Sequence, residues 1–167
     1  MSSMLLSNKE LPVQALTALV ADLMLKKGWL LASAESCTGG LIAAACTELA
    51  GSSAWFERGF VTYSNEAKSA LLDVDADLIT RCGAVSEEVV RAMATGALAH
   101  SPAQVAVAVT GVAGPSGGSE AKPVGTVWFG WATSAGVVCE MRLFEGDRSQ
   151  VRQATVRHAL RRLAELI

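Results

Sequence analysis

The chain has 167 residues, 51% of them hydrophobic and 18% charged, with 14 Lys+Arg against 16 Asp+Glu for a net charge of -2. A chain this long and apolar buries a sizeable core, which excludes a mainly disordered protein. The slight acidic excess argues against binding nucleic acid or an anionic membrane, which takes a basic footprint.

At the start, Ser7-Asn8-Lys9-Glu10 has the S-x-x-E form of a capping box, and Pro12 sits where a first helical turn tolerates proline. Leu16, Leu19, Val20, Leu23 and Met24 then recur at helical spacing until Gly28 ends the run. Trp29 to Ala34 is an apolar run of strand length, and Gly39 to Leu49 reads as a second helix, Ala-rich and buried. Phe60 to Tyr63 reads as a strand, followed by helices near Glu66 to Leu72 and over Asp75 to Arg81. Ser86 is a good N-cap for a helix over Glu87 to Ala99, whose two leading carboxylates suit the helix dipole.

Gln104 to Thr110 is a Val/Ala strand, apolar on nearly every residue, so both of its faces should be covered. Thr126 to Thr133 and Val137 to Phe144, joined at Ser134-Ala135-Gly136, predict a hairpin. Asp147-Arg148-Ser149-Gln150 starts a last helix, with Val156, Leu160, Leu163 and Ile167 on one face. Alternating strands and helices with one late hairpin predict a layered α/β domain with a mixed sheet.

No apolar run reaches the ~20 residues that cross a bilayer. Met1 to Pro12 lacks a basic segment followed by an apolar one, so no signal peptide is expected and the chain reads as cytoplasmic. Cys37, Cys46, Cys82 and Cys139 include no C-x-x-C pair, and His100 and His158 are the only histidines. That inventory predicts reduced thiols and no metal site.

Three segments could carry chemistry. Glu35-Ser36-Cys37-Thr38-Gly39-Gly40 leaves a strand and opens a helix, the place where α/β sheets bind ligands. Its glycines let backbone approach a ligand, and free helix N–H groups would favour an anion; alternatively it is a plain turn with Ser36 or Thr38 as cap. Gly111 to Gly118 leaves another strand, and is neither a P-loop nor G-x-G-x-x-G; on composition it is a flexible surface connection. Gly51-Ser52-Ser53-Ala54-Trp55-Phe56 and Tyr63-Ser64-Asn65-Glu66-Ala67-Lys68 supply hydroxyls, a phenol and an amine.

Histidine catalysis finds no supporting motif, so a serine–lysine arrangement suits the inventory better. Cys37 at a helix start is the rival nucleophile, with a buried filler as its plainer reading. Arg148 is either a surface charge or a bidentate phosphate ligand at the mouth of a Gly-rich crevice. Arg152, Arg157, Arg161 and Arg162 read as a solvated face.

Together, AESCTGG at 34–40, AGSSAWFERGFVTYSNEAK at 50–68, GAVSEEVV at 83–90, TGVAGPSGGSEAKPVGTVWF at 110–129 and GDR at 146–148 resemble the CinA C-terminal domain family. Within it they look most like the stand-alone bacterial nicotinamide-nucleotide amidohydrolases. The resemblance runs from about Leu31 to the C-terminus. It implies an α/β fold, a single three-layer α/β/α sandwich over 1–167 with a mixed, mostly parallel sheet. It also implies hydrolysis of the carboxamide of nicotinamide mononucleotide to nicotinate mononucleotide and ammonia, in NAD recycling, with no metal or cofactor.

Carried onto this chain, the resemblance makes Ser53 the nucleophile, Lys68 its base and Tyr63 an assisting or orienting group. Ser36, Thr38, Gly39 and Gly40 would line the pocket, Thr110, Gly111 and Gly114 would meet the ligand, and Arg148 would pair with the phosphate. Ser36 as nucleophile, with Ser53 hydrogen-bonding, is the variant assignment. Lys68 would need a pKa well below the usual ~10.4, through burial with Arg58 or the pyridinium nearby. Trp55 and Phe56 are candidates to stack on the ring. The expected partner is a small-molecule nucleotide, and a homodimer is expected. The rival reading is a catalytically silent nucleotide-binding regulatory module, which would keep the crevice and Arg148 without needing Lys68. A third is an amidase of the same fold with another substrate.

Overall fold

The computed structural model describes residues 11–167; the expected capping box at 7–10 lies outside the described residues. Helix α1 (Val13–Lys27) starts at Pro12 and ends at Gly28, whose left-handed backbone returns its N–H to Leu25 O. Then follow β1 (Leu31–Glu35), α2 (Leu41–Glu48), a 3-10 turn (Ser52–Ala54) and β2 (Phe56–Val61). Helices α3 (Asn65–Leu72), α4 (Ala76–Cys82) and α5 (Glu87–Ala99) lead to β3 (Val105–Gly111). The hairpin β4 (Thr126–Thr133) and β5 (Gly136–Leu143) precedes the last helix, α6 (Arg148–Leu166).

The five strands lie in the order β2-β1-β3-β4-β5. β1 pairs parallel with β2 and β3, whereas β3–β4 and β4–β5 are antiparallel. The sheet is therefore mixed, with the antiparallel half supplied by the hairpin. From β1 the chain moves to one side through α2, then returns past β1 to β3 through α3, α4 and α5. This reversal makes the C-terminal ends of β1 and β3 a topological switch point, where open α/β sheets leave a crevice.

Alternation along the strands builds two unlike faces. Val105, Val107 and Val109 of β3 join Leu31, Phe129 and Trp131 in a core with α1, α2 and α6. Ala106 and Ala108 point the other way, with Ala32, Ala34 and Ala132, against Met93 and Ala94 of α5. The small side chains let α5 lie close to the sheet, which accounts for the Val/Ala pattern that predicted two covered faces.

Two elements differ from expectation. β2 begins four residues before Phe60, because Phe56, Arg58 and Gly59 pair with β1 around a bulge at Glu57, despite the low strand preference of this polar run. An edge strand tolerates such residues. Helix α2 buries only Ile42 and Cys46; its alanines do not make it a core helix. The Ser86 cap is as expected, accepting Val89 N. So is the start of α6, where Asp147 and Gln150 form a reciprocal capping box.

Candidate active site

The crevice at the switch point is centred on Ser36, the first residue beyond β1. Its backbone N–H still pairs with Val109 O of β3 at 3.1 Å, so the serine is held by the sheet. Lys68, in the first turns of α3, is 1% exposed. Its Nζ lies 3.0 Å from Ser36 Oγ, 2.9 Å from Thr62 O and 3.2 Å from Tyr63 O. All three partners are neutral oxygens.

This coordination suits both forms of the amine: the charged form donates to all three oxygens, and the neutral form is placed to act as a base. A neutral amine has two N–H donors and one lone pair. The two carbonyls can only accept, so they take the two N–H groups. The lone pair is left for the Ser36 hydroxyl, the one partner with a proton to give. Burial pushes the Lys68 pKa down from 10.5, against weaker opposing influences of Cys37 and Glu66. Arg58, expected to help, is exposed and bound instead to Glu57 and His100 O, so desolvation is the main cause.

The expected nucleophile Ser53 is not brought to Lys68. It sits exposed in the 3-10 turn before β2, whereas Lys68 meets the residues that follow the same strand. The two are separated by the length of that strand, roughly 20 Å. Spacing in sequence placed Ser53 nearer to Lys68 than Ser36, but a parallel strand carries the chain to the opposite end of the sheet. Trp55 is a core residue at that far end, and Phe56 packs against the same core; neither reaches the crevice.

The turn that carries Ser36 is built from both sides. Glu35, the last residue of β1, is fully buried. Its carboxylate accepts from Thr38 Oγ1 at 2.6 Å, Ile42 N at 2.7 Å and Ala43 N at 3.0 Å. It thereby satisfies the first N–H groups of α2, for which Gly40 offers no side chain. These amides are consequently not free for an anion, contrary to the expectation from the motif. Gly39 and Gly40 have φ of 59° and 108°, the left-handed conformations that give glycine its place here. From the other side, Arg152 of α6 donates to Cys37 O at 3.2 Å and Thr38 O at 3.0 Å. Arg152 was expected on a solvated face and belongs to the site.

Burial drives the Cys37 thiol up to about 12, which removes the thiolate that a cysteine nucleophile needs. Both histidines are elsewhere. His100 pairs with Asp73 at 2.6 Å, and His158 packs on Phe129 while bonding Glu140. Among the described residues no three His, Cys, Asp or Glu side chains cluster as metal ligands.

The second glycine-rich exit closes the crevice. Thr110 Oγ1 donates to Ala84 O at 2.9 Å, which leaves only its lone pairs for a ligand. Gly111 and Gly114 are explained by packing: a Cβ would stand 2.7 Å from Val127 Cγ2 and 2.5 Å from Val124 Cγ1, respectively. The first half of the loop is fixed rather than flexible. Val112 N pairs with Thr126 O, and Gly114 O accepts from Arg148 Nη1 at 2.8 Å. Arg148 Nη2 also donates to the Tyr63 hydroxyl at 3.2 Å. Tyr63 thus turns its carbonyl to Lys68 and its exposed phenol to Arg148. Arg148 and Arg152, one helical turn apart on α6, face the two strand exits.

Sequence reasoning named Glu35 only as part of its motif and gave it no role. A charged residue closing an apolar strand was the available signal, since such a group is buried only with partners. For Arg152 the signal was its i+4 spacing from Arg148.

A serine hydroxyl bonded to a buried lysine amine, at the switch point of an α/β/α sandwich, defines a serine–lysine hydrolytic centre. The chain belongs to the CinA C-terminal domain family, whose model matches residues 13–167. It is 60% identical over 132 residues to nicotinamide-nucleotide amidohydrolase PncC of Enterobacter agglomerans, covering 78% of this chain and 80% of that protein. With PncC of Escherichia coli K12 it shares 51% over 145 residues, 86% of this chain and 88% of that one. Competence damage-inducible protein A (ComA) of Klebsiella pneumoniae has the same fold in a solved structure, with a TM-score of 0.90 at 42% identity, over 93% of this chain and 96% of that one. Among the described residues no helix is long and apolar enough to cross a membrane.

Proposed function

We propose that this protein is a nicotinamide-nucleotide amidohydrolase that converts nicotinamide mononucleotide and water to nicotinate mononucleotide and ammonia, as a step in NAD recycling. The Lys68–Ser36 hydrogen bond carries the reading, together with the identity to PncC proteins over most of both chains. Ser36 is the nucleophile and Lys68 the base; this departs from the assignment of Ser53.

Neutral Lys68 takes the Ser36 proton as Oγ bonds to the carboxamide carbon. The resulting ammonium returns that proton to the amide nitrogen, the C–N bond breaks, and ammonia leaves an ester on Ser36. Lys68 then deprotonates a water that attacks this ester, and its proton goes back to Ser36 Oγ as the acid is released. The Thr62 and Tyr63 carbonyls support the charged amine in both steps. Arg148 binds the phosphate, exchanging its contact with the Tyr63 hydroxyl for charge-assisted bonds. Thr110 and the edge of the 111–118 loop bound the ligand.

The domain acts as one cytoplasmic unit and pairs as a homodimer. Exposed Met141 and Leu143, which share one face of the edge strand β5, are the apolar surface that supports pairing, which sedimentation at several concentrations would check. Ammonia release from nicotinamide mononucleotide, with chelator present and a Lys68→Ala variant alongside, tests the function. Turnover in the parent that vanishes in the variant is expected. Nucleotide binding without turnover in the parent would favour the silent regulatory module instead.

A further inference from the structure

We infer that Arg152 is a positioning residue for this hydrolysis: it holds the backbone of Cys37 so that the Cys37 N–H, the first donor after the nucleophile, faces the oxyanion formed on the substrate. The inference rests on Ser36 as nucleophile. Acyl transfer needs donors fixed where negative charge develops on the carbonyl oxygen, and the amide that follows the nucleophile is a recurrent one.

Cys37 is fixed on both flanks. On its N-terminal side, Ser36 O accepts from Gly39 N at 3.0 Å. A trans peptide sets its C=O and N–H in opposite directions, so this bond turns the Cys37 N–H away from the inside of the turn. On its C-terminal side, Cys37 O has Arg152 as its one hydrogen-bond partner among the described residues. Thr38 O, in contrast, is also held by Leu41 N at 3.2 Å. The Cys37 carbonyl is therefore the element of the turn that depends on Arg152 alone.

Arg152 also places its positive charge behind these peptide groups. Its effect reaches the Cys37 side chain, where it opposes the much larger influence of burial. The Arg152 bond to Thr38 O strengthens the Gly39 N–H of the same peptide group as a donor to Ser36 O, and that bond in turn strengthens the Cys37 N–H of the Ser36–Cys37 peptide. Glu35 holds Thr38 and the start of α2 without help from Arg152. Arg152 is itself only half-buried, so removing it leaves the fold its other supports.

The test compares the parent, Ser36→Ala, Arg152→Met and Arg152→Lys in steady-state turnover of nicotinamide mononucleotide across pH. For Arg152→Met, kcat is expected to fall about 100-fold, the cost of a lost oxyanion donor. KM should stay within about threefold and the pH midpoint of the acid limb, set by Lys68, unchanged, because a group acting on the oxyanion alters neither ground-state binding nor the base. Arg152→Lys, which keeps the charge but can reach one carbonyl at a time, should recover about tenfold of that loss. Parental kcat in Arg152→Met, a loss confined to KM, or a shifted acid limb would overturn the inference. If Arg152→Met does not fold, Arg152→Lys decides: reduced kcat at parental KM supports the inference and parental kcat overturns it. A parent that releases no ammonia would instead defeat the reading of the site. Turnover in the parent that is lost in Ser36→Ala but kept in Arg152→Met defeats only the role of Arg152.

Discussion

The two ends of strand β2 contain the same ingredients and put them to opposite use. Before the strand, Ser53 stands exposed in a turn, beside a tryptophan that belongs to the core. After it, the Thr62 and Tyr63 carbonyls hold a buried lysine against Ser36, a serine brought in from the neighbouring strand. A serine hydroxyl gains nothing from nearness in sequence to a lysine. It becomes a nucleophile where a desolvated amine with its N–H groups already engaged turns a lone pair toward it.

The most severe way to break this contrast is at the C-terminal end of the sheet. Ser36→Ala and Lys68→Ala should each lower kcat/KM by ~1000-fold or more, measured as ammonia release. In the parent, kcat/KM should fall as pH drops through the lowered Lys68 pKa, since protonation fills the lone pair. The same shift has a stability consequence. The native state disfavours the charged amine, so between the lowered value and 10.5 the unfolded chain binds the extra proton. Stability from this group therefore rises with pH across that window and is least below it. Urea denaturation at several pH values should show this slope in the parent and a flatter one in Lys68→Met.

Next in size is the support beneath the turn. Glu35→Ala leaves Thr38 Oγ1 and two α2 amides without their acceptor. A loss of about 3 kcal/mol in unfolding free energy is expected, whereas half-buried Glu57→Ala, which frees only the exposed neighbour Arg58, should be nearly neutral. Arg148→Ala should raise KM about tenfold with kcat less affected, since a charge-assisted contact is worth ~1.5–3 kcal/mol; isothermal titration with the nucleotide product would check it. Smallest is the other end of β2. Ser53→Ala should leave turnover within about twofold of the parent, the range of an exposed substitution. A large loss there would return Ser53 to the chemistry and remove the contrast.

The two arginines of α6 sharpen the same point. The capping box Asp147 to Gln150 was legible as a helix start and placed Arg148 at its mouth. Arg152, one turn later, looks in sequence like Arg157 and Arg161. Only the packing of α6 against α2 puts its guanidinium over the carbonyls after Ser36. Helix periodicity tells which residues share a face, and the tertiary contact tells what that face meets.

The sequence by itself determined the layered α/β order, the caps at Ser86 and Asp147, the hairpin, and the motifs that identify the family. These rest on local patterns: alternation, helical spacing and side chains that bond backbone within a few residues. It also determined that Lys68 must be buried to act as a base. The tertiary structure decided which serine it meets, that Glu35 occupies the amides an anion was expected to use, and that Arg152 faces the site. Each of these depends on strand order and helix packing, which bring together residues 32 to 115 positions apart or, for Glu35, fold the chain back upon itself in a buried turn. Burial then gives those contacts their consequence, because an amine, a carboxylate or a carbonyl shielded from water is governed by the few partners it can reach.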